Sequence, residues 1–316
     1  MKLRFIATAI SMVFACGLIG DARAAIITAL TTANTLVTID SAAPGTNINT
    51  VGISGLIGSD VLVGIDFRPV DFSLIGFGYN SVAGTSHVYS INPSTGAATS
   101  ININPLNIGT GLSRVTADFN PTANALRVVT SSTTSNNLRI PAGGTGALTT
   151  DTDLNPANTG MRATAYSRNN PGGGTSGATT LYEIDGTNNA LVTQGSVDFF
   201  TGSGTSPNTG TLTTVGGLTG VTGSTLVGFE ILNLSGTAAS SPGNAFLATS
   251  GSLFSLNLAT GAATSLGSFA IGTNILDITA VPEPGSIALC GIALAGLAFR
   301  ARKRQKVDHE FLPLTR

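Results

Sequence analysis

The sequence predicts an all-β fold: a five-bladed β-propeller closed by strands from its N- and C-terminal ends. Three observations predict it. The 316 residues hold 40 Gly, no Trp and only 10% charged side chains, a composition suited to many short strands joined by tight turns. Two segments, "VYSINPSTGAATS" (Val88–Ser100) and "LFSLNLATGAATS" (Leu253–Ser265), are identical at eight of thirteen positions without a gap. A second short element recurs between such segments, so that one unit contains four strands in about 50 residues, the period of a propeller blade.

The N-terminal end, residues 1–24, reads as a secretory signal peptide. Lys2 and Arg4 precede an apolar stretch from Phe5 to Ile19. Ala22-Arg23-Ala24 then supplies the small-x-small pattern that signal peptidase accepts, so the mature chain begins at Ala25. Cys16 lacks the small residue two positions before it that lipidation needs, since Phe14 stands there. The other cysteine, Cys290, lies near the C-terminus, so the exported body has no disulfide, thiolate nucleophile or cysteine metal site.

The body, residues 25–280, is the repeat domain. Each copy of the long segment reads as strand, Thr-Gly turn, strand. Weaker copies start at Leu36 ("LVTIDSAAPG"), Leu138 ("LRIPAGGTGALTT") and Leu181 ("LYEIDGTNNALVT"). The second element appears as "GIDF" at Gly64, "TADF" at Thr116, "ATAY" at Ala163, "GFEI" at Gly228 and "LDI" at Leu276. The mature chain opens inside a unit with "AIITAL", "TLVTID" and "NINTVG", and "ILDITA" before Val281 supplies the missing first strand. Closure of this kind removes the sheet edges that an open solenoid or sandwich would leave.

The second element also holds the candidate site: Asp66, Asp118, Glu230 and Asp277 recur in four units, with Ala165 in the fifth. First strands line a propeller's channel, where these carboxylates could bind Ca²⁺ or another cation through hard oxygens, or act as acid and base on a glycan. The structural reading is stronger: each acid accepts backbone hydrogen bonds at one repeated point, because repeats copy scaffold more readily than an asymmetric active site.

Other constellations are weaker. Asp151-Thr-Asp153-Leu-Asn155 begins like a calcium loop, but Pro156 replaces the glycine and Arg162 stands where the bidentate Glu would be. His87 is the body's one histidine, and it precedes a repeat strand at a point where the other copies hold Asn137, Thr180 and Ser252, polar residues expected at strand edges, as His87 then is. No serine sits in a Gly-x-Ser-x-Gly elbow. The body carries six Arg (68, 114, 127, 139, 162, 168) and no Lys against ten Asp and two Glu, a net charge of −6. Such a surface excludes nucleic acid; the arginines pair with acids in or between blades, the alternative being a cluster for anionic extracellular polysaccharide.

The C-terminal end reads as a sorting signal over residues 281–305. Val281-Pro282-Glu283-Pro284 is followed by a 14-residue apolar run, 286–299, and then by Arg300, Arg302, Lys303, Arg304 and Lys306. As a helix the run rises roughly 21 Å, short of a hydrocarbon core of about 30 Å, so it makes a weak transmembrane span with the body outside and the basic tail, residues 306–316, in the cytoplasm. These three parts in order resemble the PEP-CTERM protein-sorting signal. The resemblance implies export in a Gram-negative bacterium, transient retention in the inner membrane, and processing at the motif by an exosortase-type transpeptidase on the way to the cell surface or extracellular matrix. Over Ala25 to Ala280, the motifs "GIDFRP", "INPSTGAAT" and "ADFNP" resemble the bacterial domain of unknown function 4394, which brings no established activity. The expectation is a binding or structural protein without enzymatic activity or a resident cofactor; the alternative is a carbohydrate-active enzyme using two of the recurrent carboxylates.

Overall fold

The computed structural model describes residues 25–102, 104–168, 178–199, 204–232 and 244–281. Residues 1–24, expected to be a signal peptide, the apolar run 286–299 and the basic cluster lie outside the described residues. Contacts divide the chain into one unit ending at Val281 and a second comprising Pro282–Arg316. No helix among the described residues is long and apolar enough to cross a membrane.

The body is a five-bladed β-propeller. Blade 1 contains β1 (Ile26–Thr31), β2 (Thr35–Asp40) and β3 (Ala43–Gly52). Blade 2 is β4 (Val61–Phe67), β5 (Leu74–Asn80), β6 (Thr85–Ile91) and β7 (Ala98–Ser100), with the short β8 (Leu106–Asn107) also on β6. Blade 3 is β9 (Val115–Asn120), β10 (Ala125–Thr130), β11 (Asn137–Ile140) and β12 (Thr149–Thr150). Blade 4 is β13 (Met161–Tyr166), β14 (Thr179–Asp185), β15 (Ala190–Phe199) and β16 (Leu212–Gly217). Blade 5 is β17 (Leu226–Leu232), β18 (Asn244–Thr249), β19 (Ser252–Leu256) and β20 (Ala263–Ser268). Finally β21 (Ile275–Val281) returns to blade 1 and pairs antiparallel with β1, from Thr31↔Ile275 to Ile26↔Val281. The first strand of each blade packs against the first strand of the next, so β21, β4, β9, β13 and β17 form a closed ring.

Strand alternation explains the core. Successive side chains point to opposite faces of a blade, and each face is covered by a neighbouring blade, so strands read as nearly continuous apolar runs. Five apolar clusters result among the described residues, one per blade junction. The junction of blades 2 and 3, for example, packs Phe77, Val88, Phe119, Leu126 and Ile140. The junction of blades 3 and 4 is much smaller, with Val129, Leu154, Met161, Ala190 and Val192. Buried polar groups fill the remainder there. Arg127, 2% exposed, donates from Nη1 to Asn137 Oδ1 (2.6 Å) and Asp151 Oδ2 (2.7 Å) and from Nη2 to Asn208 Oδ1 (2.5 Å).

The outer rim explains the repeat that is visible in the sequence. Asn92 and Asn257 open the two best turns, their Oδ1 atoms accepting from Ser94 N and Ala259 N, each at 2.9 Å. Gly96 (φ 72°) and Gly261 (φ 78°) then complete them in the left-handed region. Each turn also clamps the chain leaving the preceding blade. Ser54 N donates to Gly96 O (3.1 Å) and Ala98 N to Ser54 O (2.8 Å); likewise Thr219 N donates to Gly261 O (3.2 Å) and Ala263 N to Thr219 O (2.9 Å). A Cβ on Gly96 would lie 2.0 Å from Gly52 O. Glycine is therefore required twice, by φ and by contact.

One repeat assignment needs correction. The copy at Leu181 is expected to supply the third and fourth strands of its unit, but it forms β14 and β15, the second and third. The fourth-strand turn of blade 4 is instead Asn208-Thr209-Gly210, where Asn155 N donates to Gly210 O and Leu212 N to Asn155 O, both at 2.8 Å. Gly210 has φ 68°, and its Cβ position falls 2.1 Å from Asp153 O. The "IDGTNN" hairpin imitates the repeat because Asp185 Oδ1 makes the same kind of turn, accepting from Thr187 N and Asn188 N at 2.9 Å.

Candidate functional site: the axial carboxylates

The ring of first strands brings three of the recurrent acids together. Asp66 on β4, Asp118 on β9 and Glu230 on β17 are 3%, 3% and 1% exposed, and each brings a carboxylate oxygen within 4.8 Å of the others. Each aspartate reaches the strand of the following blade. Asp66 Oδ2 accepts from Phe119 N (2.8 Å), and Asp118 Oδ1 accepts from Tyr166 N (2.9 Å). These are charge-capable bonds to backbone donors that would otherwise be buried without partners.

The fourth acid stands elsewhere. By this pattern the ring position of β21 belongs to Thr279, whose Oγ1 accepts from Phe67 N at 3.2 Å. Asp277 lies two residues earlier, on the same face, where its Oδ2 accepts from Ile65 N (2.9 Å). In "LDITA" an acid and a threonine both fit the recurring element, and only strand register separates them. Ala165, the non-acidic member, packs in the apolar junction of blades 4 and 5 with Tyr182, Ile184 and Phe229.

Thr279 joins the ring chemically. Its Oγ1 lies 3.1 Å from Asp66 Oδ1 and 2.9 Å from Glu230 Oε2. One hydroxyl has one proton, so two such contacts to carboxylate oxygens call for a proton on a carboxyl group as well. The electrostatics agree. Burial first, and the nearby Glu230 second, push the Asp66 carboxyl well above the usual carboxylate range; burial and Asp66 do the same to Asp118. Burial raises Asp277 to about 7, against the hydrogen bond from Ile65 and the attraction of Arg114. Three acids this close do not all ionise unless a cation joins them. Their oxygens have the hardness and spacing to hold one, while the hydroxyl bridge shows how shared protons serve the same end.

Arg114 acts on Asp277, the acid outside this trio. Its Nε donates to Arg162 O (2.7 Å) in blade 4 and its Nη2 to Val227 O in blade 5, so one side chain from blade 3 ties three consecutive blades. The gap lined by Gly64, Ile65, Asp66, Phe77, Ala117 and Leu126 is too small to hold a water molecule. The carboxylates of Asp66, Asp118 and Glu230 are therefore packed into the scaffold.

The remaining candidates are used structurally. Asp151 accepts from both Arg127 and Arg139 (Nε, 3.1 Å), and Asp153 Oδ1 accepts from Asn136 N (3.3 Å). His87 is a buried residue, not a strand-edge one: its Nδ1 lies 2.8 Å from Asp60 Oδ2, the atom that also accepts from Tyr89 Oη at 2.7 Å. Arg68 pairs with Asp71 and Arg168 with Asp198. Val281 is the last residue of β21, whereas Pro282, Glu283 and Pro284 lie outside the described residues, as do Ala22 and Ala24; Ala25 is buried, its N–H donating to Ser41 Oγ (2.8 Å).

Reading the sequence missed Thr279 and Glu183, and it expected Arg114 to pair with acids, whereas its hydrogen bonds go to the backbone carbonyls of Arg162 and Val227. Glu183 sits on the face of β14 opposite Tyr182 and Ile184, fully buried, and both its oxygens lack a hydrogen-bond partner among the described residues. Burial raises it to about 8 despite the nearby Arg127. Its only sequence signal was an acid within an apolar strand, "TLYEID".

Comparison with known families gives two matches. The model for domain of unknown function DUF4394 matches residues 35–279, and that for the PEP-CTERM protein-sorting motif matches residues 280–303. No curated protein matches the sequence. Among solved structures, a putative 6-phosphogluconolactonase from Bacteroides uniformis is similar at 15% identity and a TM-score of 0.39, over 83% of this chain and 72% of that one. A chain of a nidogen/laminin complex is similar at 12% identity and 0.45, over 81% and 98%. A luciferin-regenerating enzyme is similar at 11% and 0.38, over 84% and 79%.

Proposed function

This chain belongs to the DUF4394 family and carries a PEP-CTERM sorting motif, and from that premise we propose a non-enzymatic protein of the cell surface or extracellular matrix, in which the propeller serves a binding or structural role. The motif makes the protein an exported substrate of exosortase sorting at the cell envelope. One observation carries the non-enzymatic reading. The acids best placed for chemistry are buried at the axis and committed to bonds between blades, whereas a glycosidase needs its two carboxyl groups open to the sugar on either side of the scissile bond. Extracellular polysaccharide is the ligand class that suits the polar, low-charge body, whose residues 25–280 hold no lysine.

The test replaces Asp66, Asp118, Glu230 and Asp277 singly by their amides in the full chain. Unchanged retention on the cell surface and on matrix polysaccharide, with no glycan turnover by the parent, is the expected result. Release of sugar by the parent that one amide variant abolishes, while that variant keeps its fold, would replace this reading with the carbohydrate-active enzyme. Substituting Pro282 and Pro284 by Ala tests the sorting half, with protein expected to accumulate unprocessed in the inner membrane.

A further inference from the structure

The sorting motif begins where the ring ends. Val281 is paired with Ile26 in the ladder of β21 and β1, and Pro282 is the next residue. No linker separates the strand that closes the propeller from the segment on which the sorting enzyme acts. The last described residues of that strand are deeply held. Ile278, Thr279 and Ala280 are 1%, 0% and 2% exposed. Thr279 is bonded to Asp66, Glu230 and Phe67 N, and Asp277 to Ile65 N. On its two sides β21 packs against β4 and β17, and its outer neighbour is β1.

Peptide-bond cleavage needs chain lifted out of its native pairing on both sides of the scissile bond, and a folded protein supplies such chain through local opening. Here the residues preceding Pro282 are unavailable without withdrawing a ring strand, which would break hydrogen bonds at two blade junctions at once. We propose that the propeller gates its own processing: docking of β21 withholds the N-terminal side of the cleavage region from the membrane transpeptidase, so cleavage draws on chains in which the end of β21 is undocked or has frayed. The reaction is ordinary transpeptidation or hydrolysis. The amide C–N bond breaks, the amine leaves with the C-terminal fragment, and the acyl carbon passes to an acceptor amine or to water. The inference rests on the sorting reading above and adds to it a dependence on the fold. It makes the completed propeller a slow substrate and gives the closing strand control of how long the protein stays tethered.

The experiment follows processing of the full chain by pulse-chase in cells that express the sorting enzyme. Three chains are compared: the parent, a variant with a six-residue Gly-Ser segment inserted between Val281 and Pro282, and a double variant Ile26→Cys/Val281→Cys. Those two residues are directly opposed in the ladder, at a separation a disulfide can span. The insertion lies after the last paired residue and leaves the ring intact. The expected result is several-fold faster processing with the insertion and several-fold slower processing of the oxidised double variant, relieved by a reductant that reaches the periplasm. Equal rates in parent and insertion variant, in the presence of normal cleavage, overturn the gate and leave the sorting reading standing. Absence of cleavage in all three overturns the sorting reading, and the gate with it.

Discussion

The hub and the rim of this propeller both join one blade to the next, and they do so with opposite chemistry. At the rim, backbone meets backbone: Gly96, Gly210 and Gly261 let a turn close on the neighbouring chain at distances that admit no Cβ. At the hub, side chains meet backbone: Asp66, Asp118, Asp277 and Thr279 each reach across to an N–H of the following blade. The rim junction is uncharged and indifferent to pH. The hub gathers acids in a buried ring, where hydrogen bonding is bought at the expense of desolvation and mutual repulsion. The same mechanical task thus responds to different perturbations, depending on whether sterics or protons limit it.

The largest effect is expected from breaking the rim. Gly96→Ala or Gly261→Ala places a side chain in the left-handed region and against a carbonyl, together costing about 2–4 kcal/mol; calorimetry should show the same loss at about pH 5 and pH 8. Next comes Thr279→Val, which leaves the Phe67 N–H buried without an acceptor and the two carboxyls without their bridge. A loss of about 1–3 kcal/mol is expected, read as a lower denaturation midpoint.

Asp66→Asn sharpens the comparison because its effect depends on pH. Its carboxyl is raised in the folded chain, so the folded state keeps a proton that the unfolded state releases near the ordinary aspartate value of 3.8. The parent is therefore favoured below that pH and loses stability as pH rises toward the folded value. The amide cannot ionise, so its stability relative to the parent should improve from about pH 4 to pH 8, the opposite of the flat rim profile. Glu183→Gln should act with the same sign between the ordinary glutamate value of 4.5 and about 8, raising the melting temperature at pH 8 by about 2–4 °C for each kcal/mol relieved. A Glu183→Gln profile parallel to the parent's would show that the buried acid keeps its charge. The smallest effect belongs to Arg68→Ala, which removes the partly exposed pair with Asp71 and should change stability by less than about 1 kcal/mol.

The rim was legible in the sequence because its requirement is local. A left-handed glycine after an Asx turn, followed by small strand residues, recurs as "STGAATS" and "ATGAATS" whatever the surroundings. In blade 4 the same turn is written "NTGTLTT", and the Asp185 hairpin offered a closer imitation, so local chemistry pointed one strand too early. At the hub the recurrent acids were legible as residue types, but not which of Asp277 and Thr279 completes the ring. Both lie on one face of β21, and the choice is made by the register between β21 and β4, two strands separated by most of the chain.

By itself, then, the sequence determined the strand-rich class, the period of the blades, closure by the two ends and the sorting segment that follows, because each depends on composition, turn chemistry or order along the chain. Only the tertiary structure decided that the recurrent acids are buried and shared between blades, that Arg114 spans three of them, and that Thr279 takes the ring place on the closing strand. These depend on contacts between strands far apart in the chain, and one residue of register moves a side chain from one blade junction to the other.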